Sequence, residues 1–191
     1  MPRSGAAARQ RLYEAALALY TERGYDATTT ADIAQRAGVN DRTYFRHFPD
    51  KREVLFDGQG RLRDALVAAV HAVPSGTSAI KALRAAFIDA AGLLEDDRAA
   101  GISRLRIIAD TPALLERDLA KGADMAAALA GALRDRGEHH DVADLIATVC
   151  WATFHHAASQ WIGDGTRGLR DHITDAFQLL TATVSRAGQA H

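Results

Sequence analysis

"VNDRTYFRHFPDK", Val39 to Lys51, sets Asp, Arg, Thr, Tyr, Phe, Arg and His in one unbroken row and stops them with Phe-Pro-Asp-Lys. A core helix needs an apolar stripe recurring at three- and four-residue steps. Seven consecutive bulky or polar side chains allow only a narrow one. Tyr44 and Phe48, four apart, can turn inward together, which leaves Asp41, Arg42, Thr43, Phe45, Arg46 and His47 around an exposed arc. Some of these side chains must serve something other than the core.

The flanks define what carries this row. Asn40 is a favourable cap for a helix running through His47. Upstream, in "TTTADIAQRAG", Thr29 caps with Asp32 as its acidic partner three residues on, Ile33, Ala34 and Ala37 form the buried stripe, and Gly38 ends the segment. A longer helix precedes it from Ala6 to Arg23, with Leu12, Ala15, Ala16, Leu19 and Tyr20 inward and Gly24 closing it. Two short helices joined by a Gly-containing turn of about four residues match a helix-turn-helix, whose second helix enters the DNA major groove. The exposed arc, with Asn40 at its start, is therefore a candidate DNA-reading face. Downstream, Pro49, Asp50 as cap and Glu53 three residues later predict a fourth helix that runs unbroken to about Val73, before Pro74.

Beyond Pro74 the pattern predicts five more helices, at about 77–94, 97–109, 112–136, 141–163 and 167–186. Pro112 suits a first helical position, and "RGEHHD" and "GDGTRG" supply breaks. Asp96 and Asp97 in "EDDR" read as a solvated helix start. No strand pattern or repeat occurs. The predicted fold is all-α with about nine helices: a three-helix helix-turn-helix domain over residues 1–52, then a helical ligand-binding and dimerisation domain over residues 53–191. Alanine-rich stretches at 123–132 and 143–158 allow close helix packing, and the last two long helices are the natural pair for a four-helix dimer interface.

Whole-chain properties narrow the function. A chain of 191 residues can bury an adequate core without staples, and the single cysteine, Cys150, excludes an internal disulfide framework or a cysteine-based zinc cluster. No run of about 18 apolar residues occurs, and "MPRSGAAARQR" lacks the apolar stretch of an export signal, so the expectation is a cytoplasmic protein without membrane contact. The net charge is only -1, but residues 1–52 hold nine Lys and Arg against six acids, so the remainder carries -4. That asymmetry turns the N-terminal quarter toward a polyanion. An enzyme is disfavoured because there is no Gly-rich phosphate loop after a strand, no nucleophile elbow and no metalloprotease spacing. The histidine pairs at 139–140 and 155–156 point about 100 degrees apart on a helix and cannot both chelate one ion from one face. No cofactor or metal is expected. A constitutive DNA-binding protein is the nearer rival, but most of the chain lies beyond the reader, more than DNA binding alone needs.

The segment "ALYTERGYDATTTADIAQRAGVNDRTYFRHFPDKREVL" resembles the N-terminal domain of the TetR family of transcriptional repressors over about residues 9–57 without a gap, notably in "ERGYDATT", "IAQRAGV" and "RHFPDK". "SRLRIIADTPAL" and "FHHAASQWIGDG" resemble the C-terminal domain of a subgroup that binds acyl-CoA-like ligands. The resemblance implies phosphate contacts at Thr29 or Thr30, at Thr43 and His47, and at Lys51. Helix N-termini, which offer free N–H groups to an anion, agree with the first of these. Arg42 and Arg46 are the best base readers, since guanidinium can grip guanine O6 and N7, although Arg46 suits a phosphate equally. The chain departs from the family at Tyr44 and Phe45, where Leu then Tyr is usual, so a phosphate-binding hydroxyl is missing. Phe45 then rests on sugar or a thymine methyl, or is buried. Asp41 either accepts from a cytosine amine or simply favours the helix dipole.

Taken together, these readings predict a ligand-responsive repressor that binds a palindromic operator in double-stranded DNA as a homodimer formed through its last two helices. A small apolar or amphipathic effector, acyl-CoA-like by the resemblance, would release it. Candidate pocket residues are Phe87, Ile107, Met125, Trp151, Phe154 and His155, with His155 as polar anchor; the rival for the Trp151, Phe154 and Trp161 stretch is plain core. The fourth helix, beginning at Lys51, is expected to be the one continuous element that carries a pocket change to the reader.

Overall fold

The computed structural model describes residues 3–95, 98–164 and 166–189; of Arg3, Ser4 and residues 187–189 only the backbone is described. Asp96 and Asp97 therefore lie outside the described residues. Every regular element described is helical: α1 Arg3–Arg23, α2 Thr30–Arg36, α3 Asp41–His47, a 3₁₀ turn Glu53–Phe56, α4 Gln59–Ala72, α5 Ala79–Ala90, the single turn α6 Gly92–Glu95, α7 Arg98–Asp110, α8 Pro112–Asp135, α9 His140–Gly163 and α10 Leu169–Gln189. No helix among the described residues is long and apolar enough to cross a membrane.

The chain forms two compact units, one of residues 1–59 with 99–119, the other of residues 60–98 with 120–191. In the first unit, α1 buries Leu12, Ala16, Leu19 and Tyr20 against Ile33 and Ala34 of α2 and Tyr44 and Phe48 at α3. Thr29 closes a capping box on α2: its Oγ1 accepts from the Asp32 N–H at 3.1 Å while its own N–H donates to Asp32 at 2.9 Å. The α2–α3 turn is made by Gly38 at φ 67, a left-handed conformation that a Cβ would oppose, and the Val39 N–H reaches back to the Ala34 carbonyl at 2.9 Å. Ile108 of α7 and Leu114 of α8 complete this core. Neither would be assigned to the reader from local sequence.

The expected unbroken fourth helix is not what forms. Val54, Leu55 and Phe56 are all buried in the first unit's core, and three consecutive residues cannot share one face of an α-helix. The segment tightens into a 3₁₀ turn instead. Asp57 is then extended and Gly58 left-handed at φ 90, so α4 starts anew at Gln59. Two arginines fix the turn: Arg104 Nε donates to the Leu55 carbonyl at 2.6 Å, and Arg117 Nε to Glu53 at 2.6 Å.

The second unit is built on α5, α9 and α10. Ala143, Ala147, Cys150, Phe154 and Ala157 recur at three- and four-residue steps along α9 and meet Leu83 and Phe87 of α5 and Leu169, Ile173 and Phe177 of α10. Leu129 and Leu133 of α8 join them. Burial pushes the Cys150 thiol up to about 12, so it behaves as a small apolar side chain.

Candidate nucleic-acid interface

The seven residues of α3 sort by what they touch. Asn40 Oδ1 accepts from the Thr43 N–H at 2.9 Å, so Asn40 is committed to starting the helix. Tyr44 is fully buried, with its hydroxyl donating inward to the Asp50 carbonyl at 3.0 Å and its ring 5.9 Å from that of Phe48. Tyr20 makes the matching bond to the Lys51 carbonyl at 2.6 Å, and burial holds both phenols protonated far above their usual range. These two hydroxyls pin the Pro-Asp-Lys loop behind α3. Asp41, Arg42 and Arg46 are exposed, and Phe45 is 54% exposed with its ring edge-on to Tyr44 at 5.4 Å. Thr43 is half-buried.

The positive charge of this region is mostly used internally. Arg9 donates to Asp57 at 2.8 Å and to the His47 carbonyl at 3.1 Å while covering the Phe48 ring. Arg11 reaches the Ala37 carbonyl at 3.1 Å. Both thereby satisfy acceptors at helix C-termini, where the dipole favours a cation. Arg23 pairs with Asp32, Arg36 with Glu22 and Arg52 with Asp50. Lys51 is also engaged: its amine donates to the carbonyls of Tyr25 at 3.0 Å and Thr28 at 3.2 Å and sits 4.0 Å above the Tyr25 ring. Among the described side chains of residues 5–52, Arg42 and Arg46 are the basic ones that engage no acid, carbonyl or ring. The arithmetic surplus of charge does not foretell this; the pairing does.

His47 is half-buried, and its Nε2 is enclosed without a hydrogen-bond partner among the described residues. Burial, then the cations Arg46 and Arg9, hold its pKa below the ordinary 6.5. At neutral pH the imidazole therefore favours its uncharged form. Thr30 is half-buried at the first position of α2, while the Thr29 hydroxyl is taken by Asp32 at 2.7 Å.

Of the six pocket candidates, four fall in one core. The Phe87 ring stacks on Phe154 at 4.6 Å and lies 6.3 Å from Trp151 and 6.0 Å from Phe177; Met125 is buried in the same cluster. Trp151 also faces Gly122 of α8, where an added Cβ would stand 3.0 Å from the indole nitrogen. The other two lie elsewhere. Ile107 packs on the first unit's core, and His155 is exposed on α9. Phe177, about two turns into α10, carries no sequence signal of a site; it lies in line with Leu169 and Ile173 at four-residue steps, which marks only a core face.

Residues 12–57 match the family of bacterial regulatory proteins of the tetR type, and residues 77–185 match the MftR C-terminal domain. The transcriptional regulator TcmR of Streptomyces glaucescens is 32% identical over 128 residues, 64% of this chain, and the chain spans only 57% of TcmR's length. MftR of Mycobacterium tuberculosis (strain ATCC 25618 / H37Rv) is 24% identical over 179 residues, 92% of this chain and 90% of MftR. In fold, FadR of Thermus thermophilus, a repressor solved with lauroyl-CoA, superposes with a TM-score of 0.58 at 23% identity, covering 91% of this chain and 93% of FadR. The chain thus belongs to the TetR family of transcriptional regulators, which are DNA-binding proteins rather than enzymes, and carries a C-terminal domain of the MftR type.

Proposed function

We propose that this regulator is a repressor that grips a palindromic operator as a homodimer through α3 and leaves it when an amphipathic effector enters the core of the second unit. One observation carries the DNA half of this reading. On α3, Arg42 and Arg46 remain unengaged while the other described cations of residues 5–52 are consumed within the fold. Unspent guanidinium groups on an exposed helix are suited to guanine edges or phosphate. In this reading Asp41 and Phe45, both exposed, act as discriminating groups beside them, and Thr30, Thr43 and His47, each half-buried, take backbone contacts. A short recognition helix makes few contacts alone, and two-fold pairing sets two of them about 34 to 36 Å apart.

The dimer half rests on exposed apolar side chains of the last two helices: Val142 and Leu145 on α9, Leu179 and Val184 on α10. The effector half rests on the aromatic core of Phe87, Trp151, Phe154 and Phe177, and on the lauroyl-CoA carried by FadR as a guide to ligand class. Because α4 starts anew after Gly58, coupling is assigned to α8 instead. That helix gives its residues through Leu119 to the first unit and the rest to the second. Its Arg117 holds the 3₁₀ turn that follows the reader.

Selection from random duplex DNA tests the reading. An enriched inverted repeat is expected, bound with affinity that falls steeply as salt rises. Recovery of no sequence preference would overturn it.

A further inference from the structure

Two arginines of the second unit, Arg84 of α5 and Arg98 of α7, enclose an Nε without a hydrogen-bond partner among the described residues. Arg98 donates through a terminal nitrogen to the Trp161 carbonyl at 2.9 Å, whereas Arg84 shows no such bond among the described residues. Arg84 also forms no ion pair among the described residues, and its own helix offers none, since the positions three and four residues away are Ile80, Lys81, Phe87 and Ile88. Three of those four are apolar residues of the surrounding core, and Ile80 and Ile88 pack partly buried against it. Helical spacing brings Arg84 within about 5 to 6 Å, Cβ to Cβ, of Phe87, the hub on which Trp151, Phe154 and Phe177 converge. A guanidinium nitrogen enclosed without a partner is unfavourable, and such groups are rare unless something completes them.

We infer that Arg84 is the anion-binding side chain of the effector site, and that the effector is an alkyl or aryl amphiphile bearing a carboxylate or phosphate close to its apolar body. The assignment rests on the reading of the aromatic core as that site. It takes the anchoring role that sequence gave to His155, which is exposed on α9. The apolar body inserts among Phe87, Trp151 and Phe154, and the anion supplies the acceptor that Arg84 lacks. A guanidinium–carboxylate pair in such surroundings is short, bidentate and selective against uncharged analogues. The competing structural role is a stem that covers apolar surface with its head in water; it gives no selectivity for charge.

Calorimetric titration of the full-length protein separates the two. The probes are dodecanoate, dodecanol, dodecyltrimethylammonium and lauroyl-CoA, each below its critical micelle concentration, against the native protein and Arg84→Met. The native protein is expected to bind dodecanoate about tenfold or more tighter than dodecanol, and Arg84→Met to bring that ratio to about one while holding dodecanol within about twofold. The melting temperature of ligand-free Arg84→Met should equal or exceed that of the native protein, because the methionine leaves no enclosed donor, and this also certifies that the variant folds. Equal binding of carboxylate and alcohol by the native protein, or a ratio that survives in Arg84→Met, overturns the Arg84 assignment and leaves the apolar site standing. If lauroyl-CoA alone binds, its loss in Arg84→Met supports the assignment and its retention overturns it. Binding of none of the four probes overturns both the assignment and the effector reading beneath it.

Discussion

A lysine amine 3.0 Å from one carbonyl and 3.2 Å from another has directed its hydrogens into its own protein, and this changes what Lys51 is expected to do. Resemblance marks it as a phosphate contact; geometry gives it a structural role besides, as the clasp of the turn that leads into α2. Charge-assisted hydrogen bonds of this kind contribute about 1.5 to 3 kcal/mol. Lys51→Ala should therefore lower unfolding stability by about 1 to 3 kcal/mol in a urea titration. Arg42→Ala, which loses no internal partner, should stay within about 0.5 kcal/mol of native stability. The same variant should cost about 1 to 3 kcal/mol on the cognate duplex with preference relaxed at one base pair. Equal weakening on cognate and random DNA would assign Arg42 to phosphate. His47 carries a second prediction. Its folded pKa lies below the unfolded value of 6.5, chiefly through burial, so the unfolded chain binds more protons in that window. Its contribution to stability is complete above about pH 6.5 and is lost as pH falls through the folded pKa. Denaturation midpoints of the native protein should thus fall faster between pH 7 and pH 5 than those of His47→Gln; parallel lines would contradict it. Residue identity made the exposed arc of α3 legible, but not which cations were already spoken for, because pairs such as Arg9 with Asp57 join residues 48 apart in sequence.

Elements were legible where a local signal marks their ends. Thr29 with Asp32, Asn40, Gly38 and Pro112 each fix a boundary through a hydrogen bond or a backbone angle that neighbours alone determine. The expected continuous fourth helix fails for the opposite reason. Its start obeys the capping rule, with Asp50 accepting from the Arg52 and Glu53 N–H groups at 2.7 and 3.1 Å, but burial of Val54, Leu55 and Phe56 together overrides helical propensity. The Asp57-Gly58 pair that follows is itself a turn signal, weaker in sequence than the Asp50 cap that precedes it. Gly58 is left-handed at φ 90, so Gly58→Ala should destabilise the protein by about 1 kcal/mol or more and lower its melting temperature. A neutral outcome would mean that the junction can rebuild as continuous helix. Asn40→Ala removes the α3 cap and should cost about 1 kcal/mol of stability and weaken cognate and random DNA alike, as measured by urea titration and fluorescence anisotropy.

At the scale of the whole molecule, the all-helical class followed from periodicity alone, whereas the membership of residues 99–119 in the reader's own unit did not. Ile108, Leu114 and Arg104 reach that core from far along the chain, and no local rule connects them to it. Assembly follows from surface chemistry: Leu145 is 63% and Leu179 61% exposed on the two helices proposed to pair. Sedimentation of the native protein should give a dimer, and Leu145→Glu with Leu179→Glu a folded monomer; an unchanged dimer would move the interface elsewhere. The central claim, a sequence-reading regulator that an amphiphile releases, meets its most direct test in fluorescence anisotropy of the selected inverted repeat against a scrambled duplex of equal composition, each with and without lauroyl-CoA. The account predicts that the repeat binds about 1,000-fold or more tighter than the scrambled duplex and that lauroyl-CoA weakens the repeat about 5- to 150-fold. Equal affinity for both duplexes, or a repeat whose affinity is untouched by an amphiphile that demonstrably binds, would contradict it.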